Sequence, residues 1–384
     1  MRKLIRKATG LTVGVATLLA GLVLPMTASA ESASPIDASP IIHYSFDNAL
    51  TSKTIANEGS AANSDATLSG DATVANGQIN LTGSQTISVP TTAIAGKKDV
   101  TVSIWLKNNY GNGNTAAAYI GAAKTGNYPA NGYWLLNPAN PSGYAKSVMT
   151  NATAADPNNS PWGTEVGPGS TNAATIGTKA TSDLALYTTV ISGTNSTMSF
   201  YLNGKQVGDA TYTIPAGGLT NYGDLVAYIG KSSYADPNSK LDVDDYAVYD
   251  TAISAADVTK LYDAQVLDKA EAAVKAAVPA SATEDFALPT SAAGVSIAWK
   301  SGNAAIAVDN ATGKATVTRP AATAADAEVT LTATFGNNAK TAAYTVLVPK
   351  QFSDAEQAKA DLDAVTIEDS DDIRSNFSVP TKGN

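Results

Sequence analysis

Trp162 lies in the run Asn158-Asn159-Ser160-Pro161-Trp162-Gly163, an aromatic ring among amide and hydroxyl side chains. That combination suits sugar recognition, because the apolar face of a pyranose or furanose stacks on a ring while polar groups bond its hydroxyls. Tyr110, Tyr128, Tyr144 and Tyr234 occur in comparable polar stretches and stand behind it as further platforms. A Trp in a long loop more often folds back to plug the end of a sandwich, so both fates are expected for Trp162.

Catalytic chemistry finds little footing. His43 is the single histidine, and its strand-like setting points to a structural role rather than a general base. Neither a nucleophile-elbow serine nor a two-histidine metal signature occurs. Asp236-Pro237-Asn238-Ser239-Lys240-Leu241-Asp242 superficially resembles a helix-loop-helix calcium loop, but Lys240 replaces an oxygen ligand and Leu241 replaces the required Gly. The 34 acidic residues suit an acidic surface, so counting them neither finds nor excludes a carboxylate pair.

The elements that must position these residues read as all-β. Val100, Val102, Ile104 and Leu106 alternate with Thr101, Ser103, Trp105 and Lys107. Tyr119-Ile120, 133–136, 187–192, 198–202 and 226–229 are further strands. Asn203-Gly204, between two such runs, is a hairpin turn in which both residues take positive φ. Ser254 caps a short helix over 255–262 with Asp257 as its partner, and 265–278 continue in helix-favouring residues until Pro279. From Phe286 to Val348 the pattern is again β, with Val295, Ile297 and Trp299 on one face and a turn at Gly313. The prediction is a jelly-roll β-sandwich followed by a small immunoglobulin-like sandwich, joined by short helices.

Arg2, Lys3, Arg6 and Lys7, the apolar run 11–24 and Ala28-Ser29-Ala30 read as a secretory signal peptide over 1–30. Its removal moves the formal net charge from -9 to -13, which disfavours a nucleic-acid or anionic-membrane partner. No transmembrane anchor is expected within this chain, and a monomer is expected. With no cysteine, disulfides and thiolate chemistry are excluded. The expected divisions are a flexible leader at 31–39, the jelly roll at 40–263, a helical linker at 264–280 and the immunoglobulin-like module at 281–350. Residues 351–384 read as a linker helix and the start of a second module, because Phe377-Ser378-Val379-Pro380-Thr381 repeats Phe286-Ala287-Leu288-Pro289-Thr290. A longer polypeptide is therefore expected, with any catalytic domain beyond Asn384.

Three segments resemble the concanavalin-type jelly roll of laminin-G-like domains. They are Val102 to Lys107, Phe200 to Val207, and Ile229-Gly230 followed by Leu241 to Tyr262; His43 to Asp47 also match. The second module resembles an atrophied bacterial immunoglobulin-like domain through Leu288-Pro289-Thr290, Val295 to Trp299, Gly313 to Pro320 and Thr345-Val346. Together they are similar to the non-catalytic N-terminal part of exported glycosidases of glycoside hydrolase family 43. The jelly-roll resemblance implies a structural calcium ion between Asp47 and Asp244, with Asn57, Asn63 and Asp65 completing its oxygen shell. It also implies a secreted carbohydrate-binding and spacer segment of an arabinan- or arabinoxylan-degrading enzyme. The alternative is a cell-surface adhesin or stalk whose jelly roll binds protein or is purely structural.

Overall fold

The computed structural model describes residues 36–363, except 126–127, 130–131, 151–160, 171–176, 182, 209–210 and 337–339. The signal peptide, residues 158–160 of the Trp162 run and the repeated segment 377–381 lie outside the described residues. Alternation of apolar and polar positions builds two antiparallel sheets that face each other. The first runs in the order Lys205–Gln206, Thr197–Leu202, Ala185–Ser192, Asp99–Asn108, Leu241–Tyr249, Gln78–Leu81 and Thr73–Ala75. Ile42–Tyr44 pairs with the far half of Leu241–Tyr249. The second runs Glu165–Val166, Lys146–Thr150, Tyr133–Asn137, Ala118–Ala122, Leu225–Ile229, Thr86–Val89, Ala66–Ser69 and Thr54–Ile55.

Between the sheets lies one core in which Val100, Val102, Ile104 and Leu106 of the first sheet meet Ala118, Ile120, Trp134 and Leu136 of the second. Among its polar groups, Trp134 Nε1 donates to Ser147 Oγ at 3.1 Å and Ser147 reaches Thr189 of the opposite sheet at 2.8 Å, while the buried Tyr187 hydroxyl has no hydrogen-bond partner among the described residues. The Asn203-Gly204 hairpin forms with φ of 51° and 72°.

The Leu241–Tyr249 strand contains a β-bulge. Val243 pairs with Leu106 and Tyr246 with Ile104, so Asp244 and Asp245 together oppose the single residue Trp105. Leu241, Val243, Tyr246 and Val248 therefore all stay in the core, while both aspartates belong to the opposite side with Trp105.

Helix α1, Ala255–Ala277, covers that opposite side. The sequence predicts two helical pieces; the structure has one continuous helix of 23 residues, because Asp263 and Ala264 do not break the helical pattern. Its cap is as expected, with Ser254 Oγ accepting from the Asp257 amide at 3.1 Å. The first turns bury Val258 and Leu261 with Tyr201, Tyr249 and Ile253. Val266 then packs on Trp105, and Ala270 and Val274 enter the core of the second module. Full burial of each larger apolar side chain contributes roughly 1.5–3 kcal/mol. Ile36, in the expected flexible leader, is buried in the cluster around Val258.

The second module is a smaller sandwich. One sheet orders Phe286–Ala287, Lys314–Val317 and Ile306–Asp309; the other orders Ser291–Ala292, Val295–Ser301, Ala327–Phe335 and Lys340–Val348. Trp299 is buried there, with Nε1 donating to Pro289 O at 2.8 Å. Helix α2, Asp354–Asp363, follows. Among the described residues no helix is long and apolar enough to cross a membrane.

Candidate functional site: a cleft on the outer face of the second sheet

Residues of the Tyr133–Asn137 strand alternate between two environments. Trp134 and Leu136 enter the core, while Tyr133, Leu135 and Asn137 line a cleft of about 440 Å³ on the other face. Asn114, Thr115, Lys146, Trp162, Glu165, Tyr234 and Asp236 complete the lining. Gly121 makes room on the neighbouring strand, since a Cβ there would lie 2.5 Å from Tyr133 Cβ.

An aromatic floor runs beneath the cleft. Tyr119 stacks on Tyr133 with ring centres 5.7 Å apart and on Tyr228 at 6.2 Å, and Tyr234 meets Tyr133 edge-on at 5.5 Å. On this floor stands a fixed polar array. Tyr133 Oη donates to Glu165 Oε1 at 2.7 Å, and Lys146 Nζ lies 2.8 Å from Glu165 Oε2. Burial, then the Glu165 charge, pushes the Tyr133 phenol well above its ordinary range, so Tyr133 remains a donor. Partial desolvation at the cleft wall raises the Asp236 carboxyl, against the pull of Lys146, although the residue is exposed. Asn137 is held by its own loop, donating to Gly113 O at 2.7 Å and accepting from the Ala139 amide at 3.0 Å.

Trp162 sits on a short 3-10 turn, Pro161–Thr164, immediately before the strand that carries Glu165. Its side chain is 46% exposed at the cleft wall, so it does not plug the sandwich. An exposed indole beside oriented donors and acceptors offers a stacking face and hydrogen bonds at once. Lys146 spends one of its three ammonium protons on Glu165.

Of the five aromatic expectations, the structure brings Trp162 and Tyr234 together. Tyr110 lies over Gly113, outside the lining, and Tyr144 is half-buried beneath Lys179, whose Nζ is 4.0 Å above its ring. Tyr128 pairs through its backbone with Thr125, and its side chain lies outside the described part of the structure. Sequence reading missed Tyr133, Glu165 and Lys146. The run Tyr-Trp-Leu-Leu looks apolar on both faces, and Glu165 resembles any surface carboxylate.

Each of the five expected calcium ligands has protein surroundings of its own. Among the described residues Asp47, Asp65 and Asp244 come together in no group of three carboxylate or imidazole side chains able to hold a metal ion. Asp244 instead receives the Lys269 ammonium from α1 at 2.5 Å, and Asp245 receives it at 2.5 Å as well. Asn57 organises its loop, accepting from the His43 and Gly59 amides and donating to the carbonyls of Ile41, Gly59 and Ala61. Asp65 Oδ1 accepts from the Asn57 amide, Asn63 serves a turn with φ of 53°, and Asp47 is exposed beside Gly77.

His43 joins the Lys269 network, its Nε2 lying 3.0 Å from Asp245 Oδ1 and its Nδ1 3.6 Å from Glu58 Oε2. Burial would lower the imidazole, but the Asp245 hydrogen bond and the charges of Asp245 and Glu58 raise it overall. Burial raises the Asp244 carboxyl to about 6 despite Lys269, while His43 and Lys269 hold Asp245 low against its own burial. This is a structural clamp joining strand and helix, as the sequence expects of His43.

Residues 81–259 match the sequence profile of the concanavalin A-like lectin/glucanases superfamily, and residues 266–351 that of the atrophied bacterial Ig domain. No curated protein matches the chain. Among solved structures, the chain is similar to domain 4 of AbnA, a GH43 extracellular arabinanase from Geobacillus stearothermophilus, in complex with arabinotriose. The identity is 20%, over 59% of this chain and 98% of that one, with a TM-score of 0.41. It is also similar to the Trypanosoma rangeli sialidase bound to 2,3-difluorosialic acid, at 12% identity over 59% of this chain and 33% of that one, TM-score 0.40. The botulinum neurotoxin serotype G binding domain matches at 12% identity over 60% of this chain and 52% of that one, TM-score 0.39. The chain thus carries a concanavalin A-like lectin/glucanase jelly roll followed by an atrophied bacterial Ig domain.

Proposed function

We propose that this chain is a secreted, non-catalytic carbohydrate-binding and spacer segment of a polysaccharide-degrading glycosidase of the arabinan or arabinoxylan type. The cleft walled by Trp162 holds the glycan, and the Ig-type module sets its distance from whatever follows. The observation that carries this reading is the exposed Trp162 indole beside the fixed Tyr133–Glu165–Lys146 array. The lectin/glucanase profile over 81–259 agrees with it.

A binding role suits the chemistry better than a hydrolytic one. Both Glu165 oxygens are engaged, one by a phenol and one by an ammonium, which orients the carboxylate as a fixed acceptor. Tethering of this kind helps an attached enzyme by raising the local concentration of substrate.

Affinity electrophoresis of the full chain through gels containing arabinan, arabinoxylan, xylan or galactan tests the reading. Retardation in at least one gel, abolished by Trp162→Ala, is the expected result. Unchanged mobility in all of them overturns it.

A further inference from the structure

The charged groups of the cleft are one lysine and two carboxylates: Lys146, Glu165 and Asp236. Lys146 lies 2.8 Å from Glu165, so the lining sets two carboxylates against a single ammonium. The undescribed segments of the jelly roll, 126–127, 130–131, 151–160, 171–176, 182 and 209–210, contain Asp156 and Asp209 and no Lys, Arg or His. They therefore add no cation. Lys231, outside the lining, is stacked over the Tyr228 ring at 4.1 Å. The chain as a whole is also anionic.

We infer that the cleft selects uncharged oligosaccharides and rejects those bearing a carboxylate, such as uronate- or sialate-containing glycans, with Asp236 as the residue that discriminates. The inference rests on the carbohydrate reading above. A ligand carboxylate brought into the cleft meets two carboxylates, Glu165 and Asp236, against one ammonium that already lies 2.8 Å from Glu165. Like charges brought within several ångströms at the rim of a protein cost on the order of tenfold in affinity. An uncharged sugar meets no such penalty, and its hydroxyls can donate to Asp236.

The test is calorimetric titration of the full chain, at pH 7.5 and low salt, with pairs that share a backbone and differ in charge. The pairs are xylotetraose with glucuronate-branched xylotetraose, lactose with sialyllactose, and methyl-esterified with de-esterified oligogalacturonate. The expected result is binding of at least one uncharged member, with its acidic counterpart about tenfold weaker or more. Asp236→Asn should shrink that gap to about threefold or less without shifting the melting temperature, since Asp236 is exposed. An acidic member that binds as tightly as its partner overturns the inference and leaves the carbohydrate reading intact. A gap that persists unchanged in Asp236→Asn also overturns it, by removing Asp236 from the explanation. Absence of binding by every member, charged and uncharged, overturns the carbohydrate reading and this inference with it.

Discussion

The ammonium of Lys269, midway along α1, lies 2.5 Å from the Asp244 carboxylate on the last strand of the jelly roll. Asp245 grips the same ammonium because the bulge places two consecutive aspartates opposite one residue. All three side chains are largely buried, so each depends on the others for neutralisation.

Removing the cation should therefore be costly. Lys269→Met is expected to lower stability by about 3 kcal/mol, read as a fall in the urea midpoint, because two carboxylates then share a dry site. Adding Asp244→Asn should recover part of the loss. A single mutant as stable as the wild type would show that the clamp contributes nothing.

The clamp also fixes how stability varies with pH. Asp244 is raised when folded, so the native state holds its proton more tightly than the unfolded chain does. Its contribution is complete below the ordinary carboxylate range and is lost as pH rises through about 6. His43 is raised too, and its contribution is complete below its ordinary value and lost above its folded one. Asp245, held low, acts oppositely and loses its contribution only in stronger acid. Melting temperatures between pH 4 and 8 should thus fall more steeply with pH in the wild type than in Asp244→Asn/His43→Gln; parallel curves would refute this.

In the cleft, Trp162→Ala should weaken glycan binding by tenfold or more while moving the melting temperature by no more than about 1 °C, since an exposed ring contributes little to the core. Tyr133→Phe should cost about 1.5 kcal/mol of stability, because it removes a buried hydrogen bond to a carboxylate. If Trp162→Ala instead lowers the melting temperature and leaves binding untouched, the indole is structural.

Calcium offers a further test. With Lys269 seated on Asp244 and Asn57 occupied by backbone groups, chelation with EDTA is expected to leave the melting temperature unchanged. A bound ion would stabilise the native state, so a fall on chelation would establish a calcium site.

Much of this architecture was legible in the residues. Strand alternation, the Asn203-Gly204 turn and the Ser254 cap depend on local chemistry, and all formed as read. The clamp was hidden because its partners lie 25 residues apart and meet only through tertiary packing. A signal existed nonetheless: Leu241, Val243, Tyr246 and Val248 step by two, then three, then two, and the step of three marks the bulge. Trp162 could be picked out by its polar neighbours, whereas Glu165 gained meaning only when Tyr133 and Lys146 came beside it.

Helix α1 belongs to two cores at once, with Val258 and Leu261 in one and Ala270 and Val274 in the other. Leu267 packs on both sides of this joint, against the Trp105 cluster and against the core of the second module. Trimming a recombinant jelly roll at residue 263, where the sequence alone would place its boundary, would strip Gln265 and Val266 from Trp105 and bare an indole that the intact chain keeps dry.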